Sequence, residues 1–232
     1  MEKLQNIRAI AFDADDTLWD CQSHFDQVER RYCELLAEYG GAEAISASLF
    51  DVETANMDDL GYGAKAFMLS LVENAVKVSE GQVKAEIIAE ILQLGRQLLH
   101  IHARPLAEVP DTLARLRACG RFRMAVFTKG ELLDQEKKLH RSGLEPYFDQ
   151  VAIVSDKTEK AYHQLCENLG VKTEELVMVG NSFRSDIAPV LQIGGKAVHI
   201  PFHATWQHEH MEAFVHENLR TIERFGELLN IL

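Results

Sequence analysis

Short apolar runs that stop abruptly at a small, polar or acidic residue recur along this 232-residue chain, and they set its architecture. Ile7–Phe12 ends at Asp13, Phe122–Phe127 at Thr128 and Leu176–Val179 at Gly180; Val151–Val154 and Ala197–Ile200 have the same form. Continuous apolar runs of this length predict strands covered on both faces, as in parallel sheets. Helical patterns lie between them. Pro110 opens a segment with Leu113 and Leu116 on one face, closed by Gly120, with Pro early and Gly late as expected. Residues 131–142, 158–169 and 184–193 read as further helices ended by Gly143, Gly170 and Gly194. Strands alternating with helices predict an α/β fold, a three-layer Rossmann-like parallel sheet.

One stretch breaks the alternation. Between Asp13 and Phe122 there is no convincing strand, over far more chain than the roughly 30 residues of a βαβ unit. Ser23 is placed to cap a helix whose apolar stripe is Phe25, Val28, Tyr32, Leu35, Leu36 and Tyr39, ended by Gly40-Gly41. A second helix is expected over Lys65–Lys77. A third is expected from Gln82 to His100, with Val83, Ile87, Ile91, Leu94 and Leu98 on one face. Residues 1–20 and 105–232 are therefore expected to form the sheet domain, and 21–104 a helical insert over it. Internal repeats and low-complexity tracts are absent from the sequence.

Composition narrows the function classes. Lys and Arg number 24 against 36 Asp and Glu, a formal charge of −12, which argues against a broad nucleic-acid surface. An anionic substrate must then be drawn by local positive charge against the net field. The apolar runs fall far short of the ~20 residues a bilayer helix needs. The first run ends at once in Asp13, Asp15 and Asp16, unlike a secretory leader. Cys21, Cys33, Cys119 and Cys166 form no CxxC pair, so neither a disulfide framework nor a zinc knuckle is expected. A cytoplasmic protein, with no membrane or nucleic-acid partner, is the expectation; nothing in the pattern sets an oligomeric state.

In an open parallel sheet, ligands bind outside the carboxyl ends of the strands. The residues at those ends are Asp13, Asp15, Asp16 and Thr17; Thr128, Lys129 and Gly130; Asp156 and Lys157; and Gly180, Asn181, Ser182 and Asp186. Carboxylates, hydroxyls and an ammonium thus converge from four places. Crowded carboxylates repel one another unless a cation joins them, and Mg²⁺ is the natural candidate, since it takes a few carboxylates plus water and substrate phosphate.

The string Ile10-Ala11-Phe12-Asp13-Ala14-Asp15-Asp16-Thr17-Leu18 resembles the first motif of the haloacid dehalogenase-like superfamily, an apolar strand followed by DxDx(T/V). Val126-Phe127-Thr128-Lys129-Gly130 is similar to its second motif, Lys157 to its third, and Val179-Gly180-Asn181-Ser182 with Asp186 to its fourth. The helical insert is similar to the family's C1 cap, and the whole is phosphoglycolate phosphatase-like. The resemblance implies a phosphatase acting on a small phosphorylated metabolite. Asp13 would be the nucleophile and Asp15 the general acid and base. Mg²⁺ would be held by Asp13, the Asp15 carbonyl and Asp186, with Asn181 nearby. Thr128 and Lys157 would donate to the phosphoryl oxygens. Lys129, Gly130, Trp19, Tyr62 and Lys65 are expected to contact substrate; Trp19 and Asp20 would line the entrance or the hinge. The second Asp favours phosphoester hydrolysis over dehalogenation.

Several departures keep alternatives open. Asn181 stands where the fourth motif usually has an acid. Asp16 stands where Gly is common, either adding acidity or capping the following turn. Lys160 lies one helical turn from Lys157 and competes for the third motif. A phosphomutase of the same superfamily would need a cap-hinge His, where this chain has Phe25 with His24 one residue short. A non-catalytic binding module is the reading from another class. His199, His203, His208, His210 and His216, with Trp206 among them, read as loop residues, a second metal site being the alternative.

Overall fold

The computed structural model describes residues 3–232. Ala9–Phe12 forms strand β1, buried along its whole length. The chain then leaves the sheet for four helices: α1 (Gln22–Leu35), α2 (Ala42–Leu60), α3 (Ala64–Val78) and α4 (Ala85–Leu98). It returns through α5 (Val109–Ala118), β2 (Arg123–Lys129), α6 (Leu132–Ser142), β3 (Gln150–Val154), α7 (Glu159–Leu169) and β4 (Leu176–Gly180). A π-helical turn at Phe183–Ile187 leads into α8 (Ala188–Gln192), then β5 (Lys196–His199), β6 (Leu219–Thr221) and α9 (Leu228–Ile231). Among the described residues no helix is long and apolar enough to cross a membrane.

Two compact units result, Met1–Gln22 with Ala103–Leu232, and Ser23–His102. The first holds a six-stranded, all-parallel sheet in the order β3-β2-β1-β4-β5-β6. Strand alternation feeds two cores. Ile10, Phe12, Met124, Val126, Val177 and Val179 face one layer with Val109, Leu113 and Phe225. Ala9, Ala11, Ala125, Phe127 and Met178 face the other, where the small alanines admit Tyr162 and Leu165 of α7. Burial on both faces is why these strands read as unbroken apolar runs. In register, Phe12 lies beside Val126 on one side and Val179 on the other, so Asp13 emerges between the ends of β2 and β4.

The helical unit is pinned by a buried amide. Asn74 of α3 is fully buried, donates to Tyr32 Oη of α1 at 2.9 Å and to the Ile45 carbonyl of α2 at 3.3 Å, and accepts from Ser48 Oγ at 2.7 Å. Every polar atom of Asn74 therefore has a partner, which makes its burial tolerable.

Several expectations need correction. The insert holds four helices instead of three: α2 buries only Ile45, Leu49 and Val52, a stripe too thin to stand out. Ser23 lies inside α1 and does not cap it; Asp16 accepts from the Cys21 and Gln22 amides at 2.8 and 2.9 Å. The regular helix expected over 184–193 begins as a π turn, because Ser182 Oγ accepts from the Ser185 amide while the Asp186 carboxylate folds back onto the Ser182 amide. β3 lies at the sheet edge with Val151 39% exposed, so it is covered less than its apolar run implied. β6 is too short for the apolar-run test, with only Leu219 buried.

Candidate active site

Strand order reverses between β1 and β4, and in doubly wound sheets that switch point opens the ligand crevice. Asp13 leaves β1 there, and the 181–186 segment leaves β4. Lys157, which follows β3, reaches into the same crevice. Its Nζ donates to Asp13 Oδ1 at 2.5 Å and to Asp186 Oδ1 at 2.6 Å, and all three side chains are 10% exposed or less. Lys160 is exposed, so Lys157 is the lysine that the fold brings to the carboxylates. Burial pushes the Asp13 carboxyl up to about 7; the Lys157 ammonium opposes that shift, and the neighbouring Asp186 and Asp15 charges add to it. The two carboxylates in turn hold Lys157 above the usual lysine range, against the effect of its burial.

Asp15 points elsewhere, into a ring of donors. Lys138 of α6 donates to both of its oxygens at 2.7 and 2.8 Å, Gln135 to one at 2.8 Å and Trp19 Nε1 to the other at 2.7 Å. Burial alone would raise this carboxyl, but the Lys138 ammonium and the three kinds of donor outweigh it and carry its pKa below the ordinary range. Lys138 is itself buried and also lies 3.6 Å from Asp134. Neither Lys138 nor Gln135 was legible as a site residue: in sequence both sit in an ordinary charged helix. Trp19 has no exposed surface. An entrance-lining or substrate-contacting place does not fit it; it holds Asp15.

Thr17 Oγ1 lies 3.2 Å from Asp13 Oδ2 and 3.3 Å from Asn181 Oδ1, so the hydroxyl links the two motif segments. Of the two readings of Asp16, the capping one holds: its carboxylate takes two amides at the start of α1, with a positive φ of 64°. The same burial raises Asp16 to about 7 against those two hydrogen bonds. Thr128, 3% exposed, and Lys129 close β2 at the same end of the sheet. Gly130 follows with φ +138, and a Cβ there would come within 2.9 Å of Gln135 Nε2, the amide that reaches Asp15. Asp156 accepts from the Lys157 amide and shapes the turn before α7.

Asp186 is fixed from three sides. Its second oxygen accepts from the Ser182 amide at 3.0 Å, and Tyr162 Oη donates to the carbonyls of Ser185 and Asp186 at 3.1 Å each. Mg²⁺ asks for hard oxygen donors, typically one or two carboxylates with water. Asp13 and Asp186 supply two buried carboxylates that share a single ammonium. That donor set fits the ion. Among the described residues no group of three or more His, Cys, Asp or Glu side chains has a metal-binding arrangement, so the side chains offered here are the two carboxylates.

Lys129 is paired as well. Its ammonium meets Glu209 and donates to Ser185 Oγ at 3.0 Å. Glu209 comes from the His-bearing segment that follows β5, 200–216, which is loop apart from a single 3₁₀ turn at Gln207–Glu209. At the end of β5 His199 Nε2 lies 3.1 Å from the Asn181 carbonyl, and within the segment the Trp206 and His208 rings touch at 4.6 Å. In the helical unit, Tyr62 is half-buried in the turn before α3, Lys65 is exposed in its first turn, and Phe25 packs on Phe67 at 5.2 Å.

Known proteins resemble this chain. The model of the haloacid dehalogenase-like hydrolase family matches residues 7–194. A glyceraldehyde 3-phosphate phosphatase of Methanocaldococcus jannaschii is 29% identical over 202 residues, 84% of this chain and 85% of that protein. A phosphoglycolate phosphatase of Neisseria meningitidis is 27% identical over 204 residues, 86% of this chain and 82% of that one. The crystal structure of a haloacid dehalogenase-like family hydrolase from Xanthomonas campestris superposes with a TM-score of 0.86 at 30% identity, covering 98% of this chain and 93% of the other. The family match and the phosphatase relatives agree with the expectation of a phosphoric monoester hydrolase. The chain belongs to the haloacid dehalogenase-like hydrolases.

Proposed function

We propose that this hydrolase is a Mg²⁺-dependent phosphatase that cleaves the phosphomonoester of a small metabolite through an aspartyl-phosphate on Asp13. The observation that carries the reading is the buried Asp13–Lys157–Asp186 chain at the switch point, where one ammonium holds a nucleophile-bearing carboxylate against a second acid. Asp13 Oδ attacks phosphorus and the ester oxygen leaves with a proton that Asp15 carries at that stage. Lys157 and Thr128 steady the phosphoryl oxygens, since phosphoryl transfer is mostly positioning and charge stabilisation. Asp15, returned to the carboxylate that Lys138, Gln135 and Trp19 stabilise, is then suited to take the proton of the water that releases phosphate, recovering the one it gave to the ester oxygen. Asp13 and Asp186, with the Asp15 carbonyl and Asn181 beside them, would hold Mg²⁺, which when bound offsets the charge of an anionic nucleophile meeting an anionic phosphate.

The relatives named above act, by name, on glyceraldehyde 3-phosphate and phosphoglycolate, and a small phosphorylated metabolite is the substrate class we infer here. Contributions of Tyr62 and Lys65 to substrate contact belong to the same reading. Hydrolysis of an aryl phosphate, with and without Mg²⁺, by the wild type and by Asp13→Asn tests it. Turnover that requires Mg²⁺ and disappears in the variant is the expected result; turnover that survives in the variant removes Asp13 as nucleophile.

A further inference from the structure

Glu209 is a buried carboxylate in an otherwise open segment. From His210 to Glu217 every residue is exposed, whereas the Glu209 side chain is 12% exposed. It is received by three donors from two other parts of the chain. The Lys129 ammonium meets one oxygen; the Ser182 hydroxyl and the Ser185 hydroxyl, the latter at 2.7 Å, meet the other. Burial would raise Glu209, but the Lys129 ammonium and the two serine hydroxyls hold its pKa below the ordinary range, so the site receives an anion. Other contacts of the segment include Arg184 Nη1 donating to the His208 carbonyl at 2.6 Å and Phe214 against Phe183 at 5.4 Å.

The place of these donors matters more than their number. Lys129 directly follows Thr128, and the Ser182 amide donates to Asp186 Oδ2. The cradle therefore adjoins the residues proposed to hold the phosphoryl group, at the same end of the sheet. An ammonium with two hydroxyls is complementary to any carboxylate or phosphate oxygen pair, and such charge-assisted hydrogen bonds are the strong ones. Nothing in the phosphoryl chemistry described above uses it.

We propose that Lys129, Ser182 and Ser185 form a second anion subsite beside the phosphoryl site and that Glu209 fills it, so that the chain selects phosphomonoesters lacking a second acidic group. The proposal rests on the phosphatase reading for its meaning in catalysis, but the subsite stands on geometry of its own. With Glu209 in place, a substrate carboxylate meets a neutralised lysine and a like charge. With the Glu209 charge removed, the cradle has lost its anion and can accept one from a ligand.

Two matched esters read this out: phosphoglycolate, which carries a carboxylate, and 2-hydroxyethyl phosphate, which does not. In the wild type the acid-to-neutral ratio of kcat/KM is expected below one. In Glu209→Ala it rises at least about tenfold through a lower KM for the acid, the scale of a charge-assisted hydrogen bond regained. Glu209→Gln moves the ratio the same way with less disturbance of the segment, and adding Lys129→Met to either variant abolishes the gain. Calorimetric binding of phosphonoacetate against methylphosphonate gives the same comparison without turnover. An unchanged ratio in both assays, or a wild type that already prefers the acid, overturns the subsite. If neither ester is hydrolysed while the binding ratio still moves, the phosphatase reading falls and the subsite stands.

Discussion

At Gly180 the site leaves no room for a methyl group. A Cβ built there would stand 2.2 Å from Asp186 Oδ2 and 2.3 Å from its Cγ, so Gly180→Ala must move the carboxylate that Lys157 joins to Asp13. A displacement of about 1 Å at a reacting centre costs about 100-fold. We expect that loss of phosphatase kcat with the far-ultraviolet circular dichroism unchanged; a fully active variant would show that Asp186 does not need its place. Lys138 acts through Asp15 in a different way. Lys138→Met leaves Asp15 and Asp134 sharing a buried space without their cation, a change of the kind that costs 3–5 kcal/mol when one partner of a buried pair is removed (roughly 10 °C here). We expect a fall in Tm of that order together with a kcat reduced at least about tenfold, and Lys138→Arg restoring part of both. Legibility differed between these residues for a physical reason. The placement of Asp13, Asp15, Thr128, Lys157 and Asp186 at one end of the sheet could be read because each lies at the end of a strand or in the segment that follows one. Lys138, Gln135 and Glu209 lie in a helix and a loop whose local patterns are those of solvated residues, and only the folded sheet turns them inward.

Elements were legible where burial makes a periodic mark. β1, β2 and β4 are covered on both faces and could be found from their apolar runs alone, whereas β6 buries one residue and α2 a thin stripe of three. α2 also carries the chain's clearest pH device outside the site. Burial, with the Glu29 carboxylate adding to it, raises Glu53 from 4.5 to about 8. The folded chain therefore keeps a proton that the unfolded chain has lost between those values, and stability falls as pH rises from about 4.5 to 8. Glu53→Gln removes the penalty. Its Tm is expected to match the wild type near pH 4 and to exceed it by roughly 2–4 °C at pH 9, the shift that about 1 kcal/mol produces in a chain of this size. A constant difference across that range would mean that Glu53 titrates normally.

At the scale of the molecule, the charge of −12 and the topology pull in opposite directions. A parallel sheet was implicit in the alternation of runs and helices, whereas the order β3-β2-β1-β4-β5-β6 was not; that order makes β1 and β4 end side by side. That placement gathers Asp13 and Asp186 in a molecule already rich in negative charge, with Lys157 as the cation between them. A divalent ion at this point should therefore stabilise the folded chain measurably, since nothing in the unfolded chain keeps those carboxylates together. At about 100 times its dissociation constant, a ligand specific to the folded state adds about 2.7 kcal/mol, which is about 5–10 °C here. Thermal unfolding in Mg²⁺ and in chelator at constant ionic strength should show that gap in the wild type and its loss in Asp186→Asn. An equal gap in the variant would locate the cation on the acidic surface instead, and no gap in the wild type would take Mg²⁺ out of the proposed chemistry.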